Sequence, residues 1–182
     1  MKRQNPGFSM VEILIVLGIM GVIAAFALPS AINFVKAYRL HADASAIASQ
    51  LNVTRFRATS QYKPYALTFD VTNGLYSMQR LTTAYGSPTT EMSMGLQPNI
   101  RMLSTCPVTA TPGTLGSSFT GISTSIYFNT RGLPVDNSGA PTNNNVIYLA
   151  NDYNLYDAVT VSLGGRITIW SYSTTTSTWV AR

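Results

Sequence analysis

The chain has 182 residues and a mass of 19.7 kDa, room for one globular domain with a real core. Only 10% of its residues are charged, Ser and Thr together number 40, and mean hydropathy is +0.13, so it is not an intrinsically disordered polyelectrolyte. One cysteine (Cys106) and one histidine (His41) exclude a disulfide-stapled mini-domain and a zinc finger, and the net charge of +5 is mild.

Residues 1–7 include Lys2 and Arg3, and the chain turns apolar from Phe8. Residues 13–28 carry no charge, and the run from Phe8 to Leu28 is broken only by Ser9 and Glu12. As a helix it spans about 30 Å, one hydrocarbon thickness. Lys2 and Arg3 in front of it predict a cytoplasmic N-terminus, with the remainder of the chain on the other side. A secretory signal peptide fits poorly, because no small-x-small cleavage site leads into a polar domain. A plain anchor leaves Glu12 unexplained, since a carboxylate at membrane depth is costly without a partner.

Gly7-Phe8-Ser9-Met10-Val11-Glu12 followed by the apolar run resembles the N-terminus of type IV pilin-like proteins. The resemblance implies a leader, residues 1–7, removed by a prepilin peptidase between Gly7 and Phe8, and N-methylation of Phe8. It implies that Glu12 pairs with the Phe8 amine of a neighbouring subunit during filament assembly. Two charges that are each costly to bury become tolerable together and set the register. Pro29 matches the class and predicts a kink or local loosening of the helix. Gly18 and Gly21 are small enough for close helix approach.

Leu40, Ala44, Ile47, Leu51, Thr54 and Ala58 recur at steps of three and four, one stripe of a helix lying on a sheet. Arg39, Asp43, Gln50 and Arg57 fall off the stripe. Pro64 sets the latest end. The helix is expected over Phe8 to Gln61, its membrane half at 8–30 and its soluble half at 31–63, ahead of a β-rich head at 64–182.

Beyond Pro64 the period becomes two. Strands are expected at 65–70, 74–80, 125–129, 146–150, 158–163 and 166–172, with a short closing strand at 178–181. Val71-Thr72-Asn73 turns the first hairpin, and Gly164-Gly165 reads as a two-residue hairpin loop. Residues 82–120 and 136–145, rich in Gly, Pro, Ser, Thr and Asn, read as loops.

The fold class is therefore α+β. The class architecture is a pilin-like lollipop, one long N-terminal helix packed on an antiparallel sheet or sandwich. Three stretches, residues 44–58, 126–134 and 159–169, resemble the GspH/FimT family of minor pseudopilins. That resemblance implies a non-enzymatic subunit of a type II secretion pseudopilus, in the inner membrane with a periplasmic head. Its partners would be the prepilin peptidase, other pseudopilins or pilins, and membrane lipid before assembly. No cofactor is expected.

The alternative is a FimT-like minor pilin that binds DNA in natural transformation, for which the resemblance implies a Gly-Arg-x-Arg pattern. Here Gly165-Arg166-Ile167-Thr168 lacks the second arginine. After residue 103 only Arg131, Arg166 and Arg182 are basic, thin support for phosphate binding, with Arg166 and Arg182 as candidate contacts. Trp170, Tyr172 and Trp179 read as sheet-packing residues rather than a base-stacking platform.

The carboxylates Asp70, Glu91, Asp136, Asp152 and Asp157 form no constellation with a histidine. His41 reads as a solvated or rim residue, and Cys106 as an unreactive loop thiol. Asn151, Asp152, Asn154 and Asp157 offer oxygen ligands to calcium but equally form turns. Arg55 and Arg57, with Lys63, read as a solvated basic face at the helix end.

Overall fold

The computed structural model describes residues 9–83, 85–108, 123–143 and 145–182, the side chains at 29, 30, 83 and 86 excepted. The chain divides into two compact units, Met1–Ala37 and Tyr38–Arg182.

Helix α1 spans Met10–Ser60. Its first amides, Glu12 and Ile13, donate to the Ser9 carbonyl at 3.0 and 3.2 Å. Ser9 and Glu12 stand three residues apart, the spacing of a capping box, and Glu12 in the first turn complements the positive end of the helix dipole. The helix continues through Pro29. Within the first unit, the described side chains from Ser9 to Leu28 are all exposed.

In the second unit the predicted stripe is the buried face. Leu40, Ala44, Ile47, Leu51, Thr54 and Ala58 are each at most 1% exposed. Asp43, expected off the stripe in solvent, is buried as well, because its carboxylate accepts the Gln97 amide at 2.9 Å. Burial raises the Asp43 pKa, and the Gln97 hydrogen bond offsets part of the rise.

Among the described residues ten strands follow, all paired antiparallel. They are β1 Tyr65–Asp70, β2 Leu75–Thr83, β3 Gly86–Gly95, β4 Ile100–Leu103, β5 Ser125–Phe128, β6 Pro134–Val135, β7 Asn145–Asn151, β8 Tyr156–Val161, β9 Ile167–Ser173 and β10 Thr178–Ala181. One sheet runs β3-β2-β1-β5-β6 and the other β10-β9-β8-β7-β4. Strands β3 and β4 lie in the stretch expected to be loop. β3 is an edge strand with mostly exposed residues, where Pro88 is tolerated because one side of the strand needs no amide donor. Only Met92 and Met94 pack on the core, alternating with exposed Glu91, Ser93 and Gly95, so the alternation is confined to the second half of the strand.

A single apolar cluster joins α1 to both sheets through Leu40, Leu51, Leu67, Phe128, Leu149 and Val159. A second, smaller cluster of Val146, Tyr148, Ala158 and Trp179 occupies the other face of the second sheet. β7 is buried over its whole length because successive residues feed alternate clusters.

Candidate functional site

Gly7 and Phe8, the expected processing point, lie outside the described residues. Glu12 stands exposed in the first turn of α1. With Ile13, Val16 and Leu17 it borders a shallow groove of about 250 Å³. Among the described residues one helix, α1, is long and apolar enough to cross a membrane. Added Cβ atoms at Gly18 and Gly21 would meet nothing within 4 Å, so neither glycine answers to packing within the chain.

At the far end of α1 the second unit brings together the three stretches that carry the family resemblance. Two hairpin loops share one construction. In the first, Gly132 donates to the Asn129 carbonyl at 2.9 Å and Asn129 to the Leu133 carbonyl at 3.0 Å. In the second, Gly165 donates to Ser162 at 2.7 Å and Ser162 to Arg166 at 2.9 Å. The side chains of Asn129 and Ser162 accept the amides of Leu133 and Arg166 at 3.0 and 3.1 Å. Gly132 and Gly165 sit at φ +74° and +78°, where a three-residue loop requires a left-handed residue. The β8–β9 loop therefore has three residues, 163–165, rather than the expected two, and only Gly165 of the glycine pair needs its freedom.

Arg55 lies between these loops. Its Nη1 donates to the Gly165 carbonyl at 2.8 Å. A Cβ on Gly165 would come within 3.0 Å of the Gly132 oxygen and 3.1 Å of Arg55 Cζ, and one on Gly132 within 2.9 Å of Thr59 Cγ2. Arg57 is committed too, with Nη1 2.5 Å from Glu91 Oε2, while Arg80 Nε lies 3.4 Å from Glu91 Oε1. The expected solvated patch of Arg55, Arg57 and Lys63 is thus a correction. Two of its three cations bind their own chain, and Lys63 is exposed.

His41 keeps a rim position, its side chain 30% exposed, but it corrects the expectation that no carboxylate is placed with a histidine. Its Nδ1 lies 2.5 Å from Oδ2 of Asp157, a carboxylate 1% exposed on β8. Burial raises the Asp157 pKa, opposed by the pairing with His41. Neither residue belongs to a recognisable motif, so spacing offered no way to find the pair. The oxygen-rich run at 151–157 is dispersed. Asn151 Oδ1 accepts the amides of Tyr153 and Leu155, Asp152 meets Arg101 at 3.1 Å, and Asp157 turns inward to His41.

Arg131, Arg166 and Arg182 are exposed. The Arg182 amide donates to the Ile169 carbonyl at 3.0 Å, extending the β10–β9 pairing. Trp170, Tyr172 and Trp179 are spent on packing. Trp179 is 1% exposed and meets Tyr172 edge-on and Tyr148 at a tilt, with ring centroids 5.4 and 5.9 Å apart, and Trp170 Nε1 donates to Thr160 at 2.9 Å. Cys106 is half-buried beside this cluster, its Sγ 3.1 Å from the Val108 carbonyl.

Residues 2–28 match the family model for the prokaryotic N-terminal methylation motif. No curated protein matches the chain. The minor pseudopilin EpsH from the type 2 secretion system of Vibrio cholerae is similar in structure at a TM-score of 0.50 and 11% identity, over 73% of this chain and 97% of that one. The type IV minor pilin FimU of Pseudomonas aeruginosa is similar at a TM-score of 0.52 and 14% identity, over 74% of this chain and 90% of that one. At these identities the likeness establishes the fold, one long N-terminal helix packed on antiparallel sheets.

Proposed function

We propose that this chain, a pilin-like protein with a prokaryotic N-terminal methylation motif, is a minor pseudopilin of a type II secretion system. It would be a non-enzymatic subunit of the periplasmic pseudopilus that helps export folded proteins. The observation that carries this reading is the methylation motif at residues 2–28 on a chain whose fold is that of EpsH. In this reading the leader, residues 1–7, is removed between Gly7 and Phe8, and Phe8 is N-methylated. The apolar half of α1, residues 8–30, rests in the inner membrane before assembly, Pro29 loosens the helix, and the head at 64–182 faces the periplasm. Glu12 then pairs with the Phe8 amine of a neighbouring subunit, so that neither charge is buried alone.

Co-expression with a prepilin peptidase tests the reading. Intact mass should report loss of residues 1–7 and gain of one methyl group, and Gly7→Trp should block both. An unchanged mass for the wild-type chain would overturn it.

The likeness to FimU supports a second reading, a minor type IV pilin, of which the DNA-binding form would use Arg166 and Arg182. A DNA titration at two salt concentrations tests that DNA-binding form against the secretion reading. Salt-dependent binding lost in Arg166→Ala favours DNA uptake, and no binding at low salt favours secretion.

A further inference from the structure

The β5–β6 and β8–β9 loops carry more than their own geometry. They bring Leu133 and Leu163, 37% and 51% exposed, next to the exposed guanidinium groups of Arg131 and Arg166. One loop belongs to each sheet, and Arg55 joins them.

We propose that these paired loops are the surface by which the head docks on an acidic patch of a different pilin-like subunit; this rests on the filament reading above.

Charge supplies the first argument. Among the described residues, neither Arg131 nor Arg166 has a carboxylate within ion-pair distance, so a partner can answer both. The second argument is that a copy of the same head is itself basic, with nine Lys and Arg against six Asp and Glu over residues 38–182. Glu91 is held by Arg57 and Arg80, Asp152 by Arg101 and Asp157 by His41. Asp43 accepts the Gln97 amide, Asp70 binds Thr72 and Asn73, and Asp136 binds Ser138 and Ala140. These contacts leave Asp70, Asp136 and Asp152 charged, but the unit's excess of cations makes a second copy a poor partner, which points to a different subunit.

Preorganisation is the third. The glycine conformations, the Asn129 and Ser162 side-chain bonds and the Arg55 bridge fix both loops before any partner arrives. Docking therefore gives up little loop entropy. The chemistry also favours protein over nucleic acid. Leucine offers no π-face for a base, Trp179 and Tyr172 pack against each other, and two guanidinium groups neutralise few phosphates.

A photo-crosslinker tests this in the native host. The full chain is produced with p-benzoylphenylalanine replacing Leu163, or, as a control, Val16 on the exposed apolar helix. The expected result at position 163 is an adduct with a second protein that begins with a methylation motif and is not this chain. That adduct should fall about tenfold in Arg131→Glu/Arg166→Glu and return in the double Lys variant, while the Val16 adduct persists. An adduct with nucleic acid, with this chain, or with a protein lacking the motif overturns the proposal. So does a Val16 adduct with a pilin-like protein but none from position 163, which leaves the filament reading standing. Absence of both adducts overturns the filament reading along with it.

Discussion

Arg55 fills the space into which a Gly165 side chain would project. The guanidinium donates to the Gly165 carbonyl at 2.8 Å, and its Cζ lies 3.1 Å from where a Gly165 side chain would begin. The end of the soluble helix is thereby tied to a loop of the second sheet, with the Gly132 loop of the first sheet alongside.

Gly165→Ala should destabilise the head by about 1–3 kcal/mol, since it places a side chain at φ +78° and against the Gly132 carbonyl. Arg55→Ala should cost about 1.5–3 kcal/mol through its charged hydrogen bond. Chemical denaturation of both single variants and the double variant should give a double-mutant coupling of about 0.5–3 kcal/mol. Strict additivity would contradict the direct contact.

Stability should respond to acid through Asp157. Burial lifts its pKa above 3.8, so the folded chain holds the proton more tightly than the unfolded chain. Between 3.8 and the lifted value, stability falls as pH rises. The His41 pairing and the nearby Arg182 oppose the lift without cancelling it. Asp157→Asn has no charge to bury, so its stability relative to wild type should improve from pH 3.8 towards neutral. A relative loss over the same range would mean that the His41 pairing outweighs burial. Asp70 and Asp136 act in the opposite sense. Hydrogen bonds, first from the Asn73 and Ser138 side chains, hold them below 3.8, and their contribution is lost as pH falls through the lowered values.

Glu12→Ala should leave leader removal intact and abolish filament incorporation. Breaking a buried charge pair by removing one partner costs about 3–5 kcal/mol. Normal recovery of the variant in sheared filaments, measured by immunoblot, would sink the amine-pairing account.

Gly18→Leu separates intrachain from interchain packing. Among the described residues, nothing beyond its own chain neighbours and helix backbone lies within 4 Å of an added Cβ there, so helix content by circular dichroism and leader removal should match wild type. Filament incorporation should fall several-fold, because the small residue serves close approach of another helix. Unchanged incorporation would show the glycine to be incidental.

The soluble stripe was legible because it obeys one local period. Leu40 to Ala58 are buried as their spacing required, and the strands at 65–70, 125–128 and 178–181 sit where the alternation put them. The hairpin loops were half legible. Asn129-x-x-Gly132, Asp136-x-x-Gly139 and Ser162-x-x-Gly165 repeat a capping side chain three residues ahead of a left-handed glycine. The adjacent glycine pair at 164–165 masks that spacing by imitating a shorter loop. β3 was not legible, because its burial is confined to Met92 and Met94 while residues 87–90 are exposed.

What the sequence determined alone is what neighbouring residues settle among themselves: the motif at the N-terminus, the apolar run, the helix period and the strand alternation. Only the tertiary structure decided the fates of isolated polar residues. His41 meets Asp157 across 116 positions of the chain, and Arg55 meets Gly165 across 110. A lone charge on a helix reads as solvated because water is its cheapest partner locally. Two packed sheets remove that water, and the charge must then be answered by whichever group the fold carries to it.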